Sequence, residues 1–278
     1  MVFFPPAKLN LGLHVMGKRD DGYHNLESIF LPTGWTDIME IHVDDKVPDG
    51  ELSFQSTGLP IPGDASNNLV VRAHQLLLES HDLPGLNIHL HKVIPMGAGL
   101  GGGSADGTYA LMAINQCCAL GVKEDALAEM AAKLGSDCPF FLHPGPALVS
   151  GRGEVIESLP FELPLHDQWV VIHHPGVHVS TSEAFQNLVP SQKSTSWSDL
   201  AHTPIERWHE LIGNDFERGL KTQHPAIHEA LESLKAAGAR YVQMTGSGAA
   251  VFGLFSREEK ARAVDLPGNQ TYVGRLMA

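Results

Sequence analysis

An α+β fold is predicted by three features of the sequence. Segments that alternate polar and apolar residues with period two stand at 7–15 and 86–93. Segments with helical spacing and a capping or terminating residue stand near 68–77 and 123–134. Up to about residue 155, strands and helices do not follow one another in the strict order of a doubly wound sheet. The chain has 278 residues, which suits two modest domains. We place the boundary at 158/159, with residues 1–158 as one domain and 159–278 as the other.

The first strand runs from Ala7 to Val15, with Leu9, Leu11, Leu13 and Val15 on its apolar face and Lys8 and Asn10 on the other. Gly17 to Gly22 is a charged turn, and Glu27 to Leu31 is a second strand. Asp37–Val43 and Glu51–Gln55 read as a strand pair around the turn between them. Asn67 or Asn68 caps a helix whose apolar positions are Leu69, Val70, Ala73, Leu76 and Leu77. His89 and His91 share one face of the strand 86–93, opposite Ile88 and Leu90, and read as a solvated face rather than a metal site. A helix over Lys123–Leu134 ends at Gly135, a residue suited to the position just past a helix. Beyond Glu162 a second unit starts. Its elements are a strand at Trp169–His173, a short helix at Thr181–Leu188 and a polar loop at 190–203. Helices follow at 204–213, 215–222 and 225–237, then strands at 240–244 and 250–255, a helix at 257–264 and a last strand near 270–276. That order predicts a split βαβ layout.

The most informative stretch is Pro95-Met96-Gly97-Ala98-Gly99-Leu100-Gly101-Gly102-Gly103-Ser104-Ala105-Asp106, of which five residues in twelve are glycine. It lies between the strand 86–93 and a helix marked by Leu111, Ile114 and Cys118. Few Cβ atoms let backbone N–H groups approach an anion, and the helix N-terminus adds positive potential and free donors. That is phosphate-binding architecture. Gly97, Gly99 and Gly102 fit the dinucleotide pattern G-x-G-x-x-G, but too late in the chain and with two residues between strand and glycines. No lysine follows the glycines as a P-loop requires. A flexible linker would not be wedged between two periodic apolar elements.

Composition excludes several classes. Hydrophobic residues make up 43% and charged residues 18%, as in ordinary globular domains. A formal net charge of −13 argues against nucleic-acid binding, whose footprint is basic. An acidic chain that binds phosphate must gather its cations locally or recruit a metal ion. The three cysteines, Cys117, Cys118 and Cys138, form no metal or redox pair and fit a reducing, cytoplasmic setting. No signal peptide or membrane-spanning run is evident. The 16 histidines show no zinc-type spacing.

Three separated segments, Pro6 to Leu13, Pro95 to Ser104 and Thr245 to Ala249, together resemble the GHMP kinase superfamily. Four more support it in the same order: Arg19 to His24, Asn68 to Arg72, Leu134 to Phe141 and Asn214 to Glu217. The resemblance implies an N-terminal domain like the second domain of ribosomal protein S5, a ferredoxin-like C-terminal domain, and a cleft between them for both substrates. It is strongest to the branch that uses ATP to phosphorylate the 2-hydroxyl of a CDP-linked methylerythritol, in the non-mevalonate route to isoprenoids. By resemblance, Asp137 accepts the hydroxyl proton and Lys8 lies beside it. ATP falls to the loop Pro95–Ala105 with Asn68 and Lys92, and Mg²⁺ to Ser104. The acceptor falls to Asn10, Tyr23, His24, Thr181, Phe185 and Gly246, with the aromatic rings taking the cytosine. The expected partners are these two small molecules, with no nucleic acid and no membrane, in a monomer or homodimer. Two positions depart from the pattern. Ala105 replaces a second hydroxyl, and Gly107 costs about 1 kcal/mol of helix stability relative to alanine.

Overall fold

The structure is a computed structural model that describes residues 1–19, 22, 24–186, 188, 196–268 and 270–277, without the side chain of Lys18. In chain order the strands are β1 (Val2–Phe3), β2 (Pro6–Lys18), β3 (His24–Thr36), β4 (Ile38–Val43), β5 (Leu52–Gly58), β6 (Leu86–Lys92), β7 (Ala147–Ser150), β8 (Val155–Ser158), β9 (Trp169–His173), β10 (Tyr241–Met244), β11 (Val251–Phe255) and β12 (Thr271–Arg275). The α-helices are α1 (Leu69–Leu78), α2 (Gly102–Cys117), α3 (Glu124–Leu134), α4 (Thr181–Gln186), α5 (Trp208–Leu211), α6 (Glu217–Gln223), α7 (Pro225–Ala236) and α8 (Glu258–Arg262). The charged turn and the polar loop at 190–203 fall partly outside the described residues. Compactness groups the chain differently from a cut at 158/159. One unit comprises Met1–Ala7, Trp35–Met96 and Gly101–Pro144; the other comprises Lys8–Gly34, Gly97–Leu100 and Gly145–Ala278.

The first unit holds a sheet in the order β1-β4-β6-β5. The expected β4–β5 pair does not form. β6 enters between them, antiparallel to β4 and parallel to β5, with Ile88 opposite both Ile41 and Phe54. A parallel neighbour needs a crossover, and α1 supplies it. The strict alternation of β6, buried at Leu86, Ile88 and Leu90, suits a strand flanked on both sides. His89 and His91 lie on the other face, each 3.0 Å from the Thr57 hydroxyl. Helices α1, α2 and α3 give Val70, Leu77, Leu111, Ile114 and Leu134 to the core over the sheet.

Of the two candidate caps, Asn68 caps α1, accepting from the Val70 N–H at 2.9 Å. Gly135 ends α3 but is extended, with φ 176°, so the expected left-handed cap is absent there. A 3₁₀ turn, Cys138–Leu142, follows with Pro139 at its start.

The second unit holds two sheets, ordered β2-β3-β7-β8 and β10-β11-β9-β12. The latter is wholly antiparallel, and its own four strands lie in the order 2-3-1-4. Helices precede the second and fourth of them, which gives the split βαβ layout. α7 lays Ile227, Leu231 and Leu234 into a core shared with Val171, Val251 and Phe255, to which β2 adds Leu13 and Val15. The segment expected as a helix at 204–213 is shorter, a 3₁₀ turn at Ile205–Arg207 leading into α5.

Candidate active site

In the first unit, the helix that follows the glycines starts at Gly102. Its first intrahelical bond runs from the Ala105 N–H to the Gly101 carbonyl at 2.9 Å. The N–H groups of Gly102, Gly103 and Ser104 precede that bond and face the helix mouth, where an anion is favoured. Ala105, which stands in place of a second hydroxyl, is fully buried. Gly97, Gly99 and Gly101 all take left-handed φ values, 65°, 77° and 68°. Ala98 and Leu100 between them are buried.

Beside this helix lies a cavity of about 220 Å³ lined by Phe54, Ile61, Asn68, Leu69, Met96, Gly103 and Asp106, among others. Apolar walls with a few polar groups suit a nucleoside. Lys92, expected at the adenosine end, is buried at 1% exposure. Its ammonium donates to Asp37 and to Asp106 Oδ2, the latter at 2.7 Å. Asp37 Oδ1 also accepts the Val93 and Ile94 N–H groups at 2.6 and 2.9 Å. This buried network braces the exit of β6 against the first turns of α2. Two carboxylates on one ammonium leave an excess negative charge in low dielectric. Burial first, and then the charge of Asp37, push the Asp106 carboxyl up to about 8 despite the opposing pull of Lys92. Nothing in the spacing of the glycine loop marks Asp37 or Asp106. The periodicity of β6 did carry a clue, because it puts Lys92 on the face of Ile88 and Leu90, where an ammonium needs a buried counter-charge.

Asp137 immediately precedes the 3₁₀ turn. Its neighbour Cys138 is tied to α2, with its carbonyl accepting from Thr108 Oγ1 at 2.8 Å. The Cys138 thiol is pushed up to about 11 by burial, against hydrogen bonds with Ser104 and Thr108. Asp137 is therefore fixed, through Cys138, to the same helix whose N-terminus carries the open N–H groups.

In the second unit, the polar face of β2 is not solvated. Lys8 is 3% and Asn10 1% exposed. Lys8 Nζ donates to Asn10 Oδ1 and lies 4.3 Å from the centre of the Phe30 ring. Asn10 Nδ2 donates to Ser28 Oγ at 3.0 Å, and the Asn10 N–H donates to Thr245 Oγ1 at 2.9 Å. Thr245 opens the turn that contains Gly246. That turn is held by Asn214, whose Nδ2 donates to the Met244 and Gly246 carbonyls, both at 2.8 Å.

Residues 97–100 of the glycine loop are stitched to the same elements. The Lys8 N–H donates to the Leu100 carbonyl at 2.9 Å, and the Ala250 N–H to the Ala98 carbonyl at 3.1 Å. A Cβ on Gly99 would stand 2.3 Å from the Thr245 carbonyl oxygen, and one on Gly246 would stand 2.8 Å from the Gly99 Cα. Two glycines therefore cross backbone on backbone. His24 stacks on Phe185 with ring centres 4.7 Å apart, and Phe185 meets Phe216 edge-on at 5.0 Å. Thr181 is the first residue of α4, exposed. Tyr23 lies outside the described residues. Asn214, Ser28 and Thr245 carry this network, though the sequence marked Asn214 and Thr245 only as parts of motifs.

The "GHMP kinases N terminal domain" matches residues 68–145 and the "GHMP kinases C terminal" domain matches residues 198–267. A 4-diphosphocytidyl-2-C-methyl-D-erythritol kinase of Parabacteroides distasonis is 42% identical over 92% of this chain and 92% of that protein. The chain belongs to the GHMP kinases.

A relative of this GHMP kinase in Bacteroides thetaiotaomicron, with the same name as the Parabacteroides protein, is 42% identical over 99% of this chain and 100% of its own. Among solved structures, a 4-(cytidine 5'-diphospho)-2C-methyl-D-erythritol kinase superposes with a TM-score of 0.82 at 30% identity, covering 99% of each chain. The mevalonate kinase of Methanococcus jannaschii, at 14% identity and a TM-score of 0.71, shares the fold. Among the described residues, no helix of this kinase is long and apolar enough to cross a membrane.

Proposed function

We propose that this kinase transfers the terminal phosphoryl group of ATP to the 2-hydroxyl of 4-(cytidine 5'-diphospho)-2-C-methyl-D-erythritol, a step of the non-mevalonate route to isoprenoid precursors. The observation that carries this reading is the identity of about 42%, along the whole chain, to the Bacteroides thetaiotaomicron kinase of that name. The stacked His24 and Phe185 rings support it. A pyrimidine is recognised by flat aromatic faces, each stack contributing about 1–3 kcal/mol, and by an imidazole edge that offers both a donor and an acceptor. Tyr23 completes this set of residues, with Asn10, Thr181 and Gly246 for the rest of the acceptor.

The nucleotide falls to Asn68, Pro95–Ala105 and the cavity beside them. The open N–H groups of α2 and the left-handed glycines fit its phosphates. Lys92 serves from behind, by holding Asp106 in the cavity wall. Mg²⁺ fits as a companion of the phosphates. Among the described residues, no three His, Cys, Asp or Glu side chains converge on a metal site. Mg²⁺ is commonly held by few protein oxygens together with phosphate oxygens, and we assign the Ser104 hydroxyl to that role. When bound, it neutralises charge on the phosphate chain.

Asp137 takes the proton of the attacking hydroxyl, and Lys8 supplies fixed positive charge for the transferred group. Asn10 and Phe30 hold the Lys8 ammonium in place, so that charge is preorganised.

ADP release measured with Mg²⁺-ATP and each of three acceptors, the CDP-linked methylerythritol, homoserine and mevalonate, tests the reading. Turnover is expected with the first alone, and turnover with only one of the others would replace it. Asp137→Asn is expected to lower kcat by about 10²–10⁴-fold with ATP affinity nearly unchanged. Full activity in that variant would remove Asp137 from its role.

A further inference from the structure

From the end of β9 to the start of α4 the chain passes through Pro175–Ser180. Val179 is buried in the core of the second unit and Val177 packs against it, so His178 between them is turned the other way and is exposed. There it meets the glycine loop. A Cβ built on Gly97 would stand 3.3 Å from His178 Cε1 and 3.4 Å from Nδ1. Both residues belong to the second unit. The imidazole thus occupies the side of the loop that Gly97 leaves open.

Neighbouring histidines are committed elsewhere. His173 Nδ1 lies 2.7 Å from Thr271 Oγ1, His174 Nδ1 lies 2.7 Å from Gln270 Oε1, and His224 Nε2 lies 2.7 Å from Glu183 Oε1. Among the described residues, no hydrogen bond engages the His178 ring. His174, whose imidazole is held below its ordinary value chiefly by burial, also feels the charge of His178. The loop lacks the lysine of a P-loop, and the chain as a whole carries −13. An uncommitted ring with two nitrogens, standing over the backbone of a phosphate loop, is a donor for phosphate oxygens.

We propose that His178 is a phosphate-binding residue, its imidazole donating to the phosphate chain of a substrate held at the glycine loop. The proposal rests on the kinase reading above. Two chains share this chemistry, the triphosphate of ATP and the diphosphate of the acceptor, and kinetics distinguishes them. KM for each substrate is measured at saturation of the other, in the unaltered protein, H178A and H178K. H178A is expected to raise KM about tenfold for one phosphate-bearing substrate with kcat within about twofold, the loss of one charge-assisted hydrogen bond. H178K is expected to restore that KM. The substrate whose KM moves identifies the chain.

A second measurement needs no variant. Inorganic triphosphate and pyrophosphate, tested separately, should slow carbethoxylation of His178, read by mass spectrometry, while leaving the exposed His228 unprotected. Unchanged KM values for both substrates, no restoration by H178K, or no protection of His178 would each overturn the proposal. Absence of turnover in the unaltered protein would instead sink the kinase reading, while the protection experiment would still test His178.

Discussion

Asp37, Lys92 and Asp106 show how a single buried charge sets conditions on the whole chain. Asp106 has an ordinary value of 3.8 when unfolded and is pushed up to about 8 in the fold. Between those values the folded chain binds a proton that the unfolded chain has released, so stability falls as pH rises. The contribution is fully present below pH 3.8 and is lost as pH passes through about 8. Urea unfolding at pH 6 and pH 9 is expected to show a lower midpoint at the higher pH. In Asp106→Asn, which cannot ionise, the difference shrinks. An equal fall in both proteins would take the proton away from Asp106. The resemblance assigns Lys92 to ATP, and the fold adds its two buried carboxylate partners, because alternation tells which face a side chain takes but not which partners wait there. The same limit hid the burial of Lys8 and Asn10: β2 has sheet on one side and the Thr245 turn on the other, and neither is encoded in nine alternating residues.

Helix α2 carries the clearest reversal at the scale of an element. By propensity alone, Gly107→Ala would gain about 1 kcal/mol. In the fold, a Cβ at Gly107 would stand 2.7 Å from the Leu69 Cβ, an atom fixed to the backbone of α1. Overpacking of this kind costs about 1–3 kcal/mol, so the clash outweighs the propensity. Gly107→Ala is expected to lower the urea midpoint; a raised midpoint would mean that α1 and α2 can separate without loss. Element identity was largely legible: the glycine loop between β6 and α2, the cap of α1 and Gly135 just past α3 all carry local chemistry that the chain writes within a few residues. Pairing was not legible. β4 and β5 flank a turn and look like a hairpin, yet the partner of both is β6, whose Ile88 stands 34 residues beyond Phe54 and 47 beyond Ile41, and only the tertiary core selects it.

At the scale of the molecule, the order of seven short segments was enough to indicate the family, and the comparisons agree with it. A cut at 158/159 follows the order of elements along the chain, whereas compactness joins β2 and β3 to the C-terminal half. The reason is visible in the bonds. Asn10 reaches Thr245, the Gly12 N–H donates to Gln243 Oε1 at 2.9 Å, and Asp215 Oδ2 accepts from the Val15 N–H at 2.8 Å. Each bond spans about 200 residues or more, a separation that no local pattern reports.

The burial of Lys8 and Lys92 has a consequence for the chemistry of their amines. Acylating agents, whether an activated ester in the laboratory or a reactive acyl phosphate in a cell, modify amines that water can reach. At 3% and 1% exposure, these two nitrogens are shielded in the folded chain, while Lys133 and Lys260 lie open. Peptide mapping after brief acetylation is expected to find Lys133 and Lys260 modified and Lys8 and Lys92 spared, with all four labelled in strong urea. Labelling of Lys8 at the rate of Lys133 in the native protein would contradict the burial. Acyl damage to these two positions is thus confined to chains that have not yet folded, where it would remove the positive charge that each site is built around.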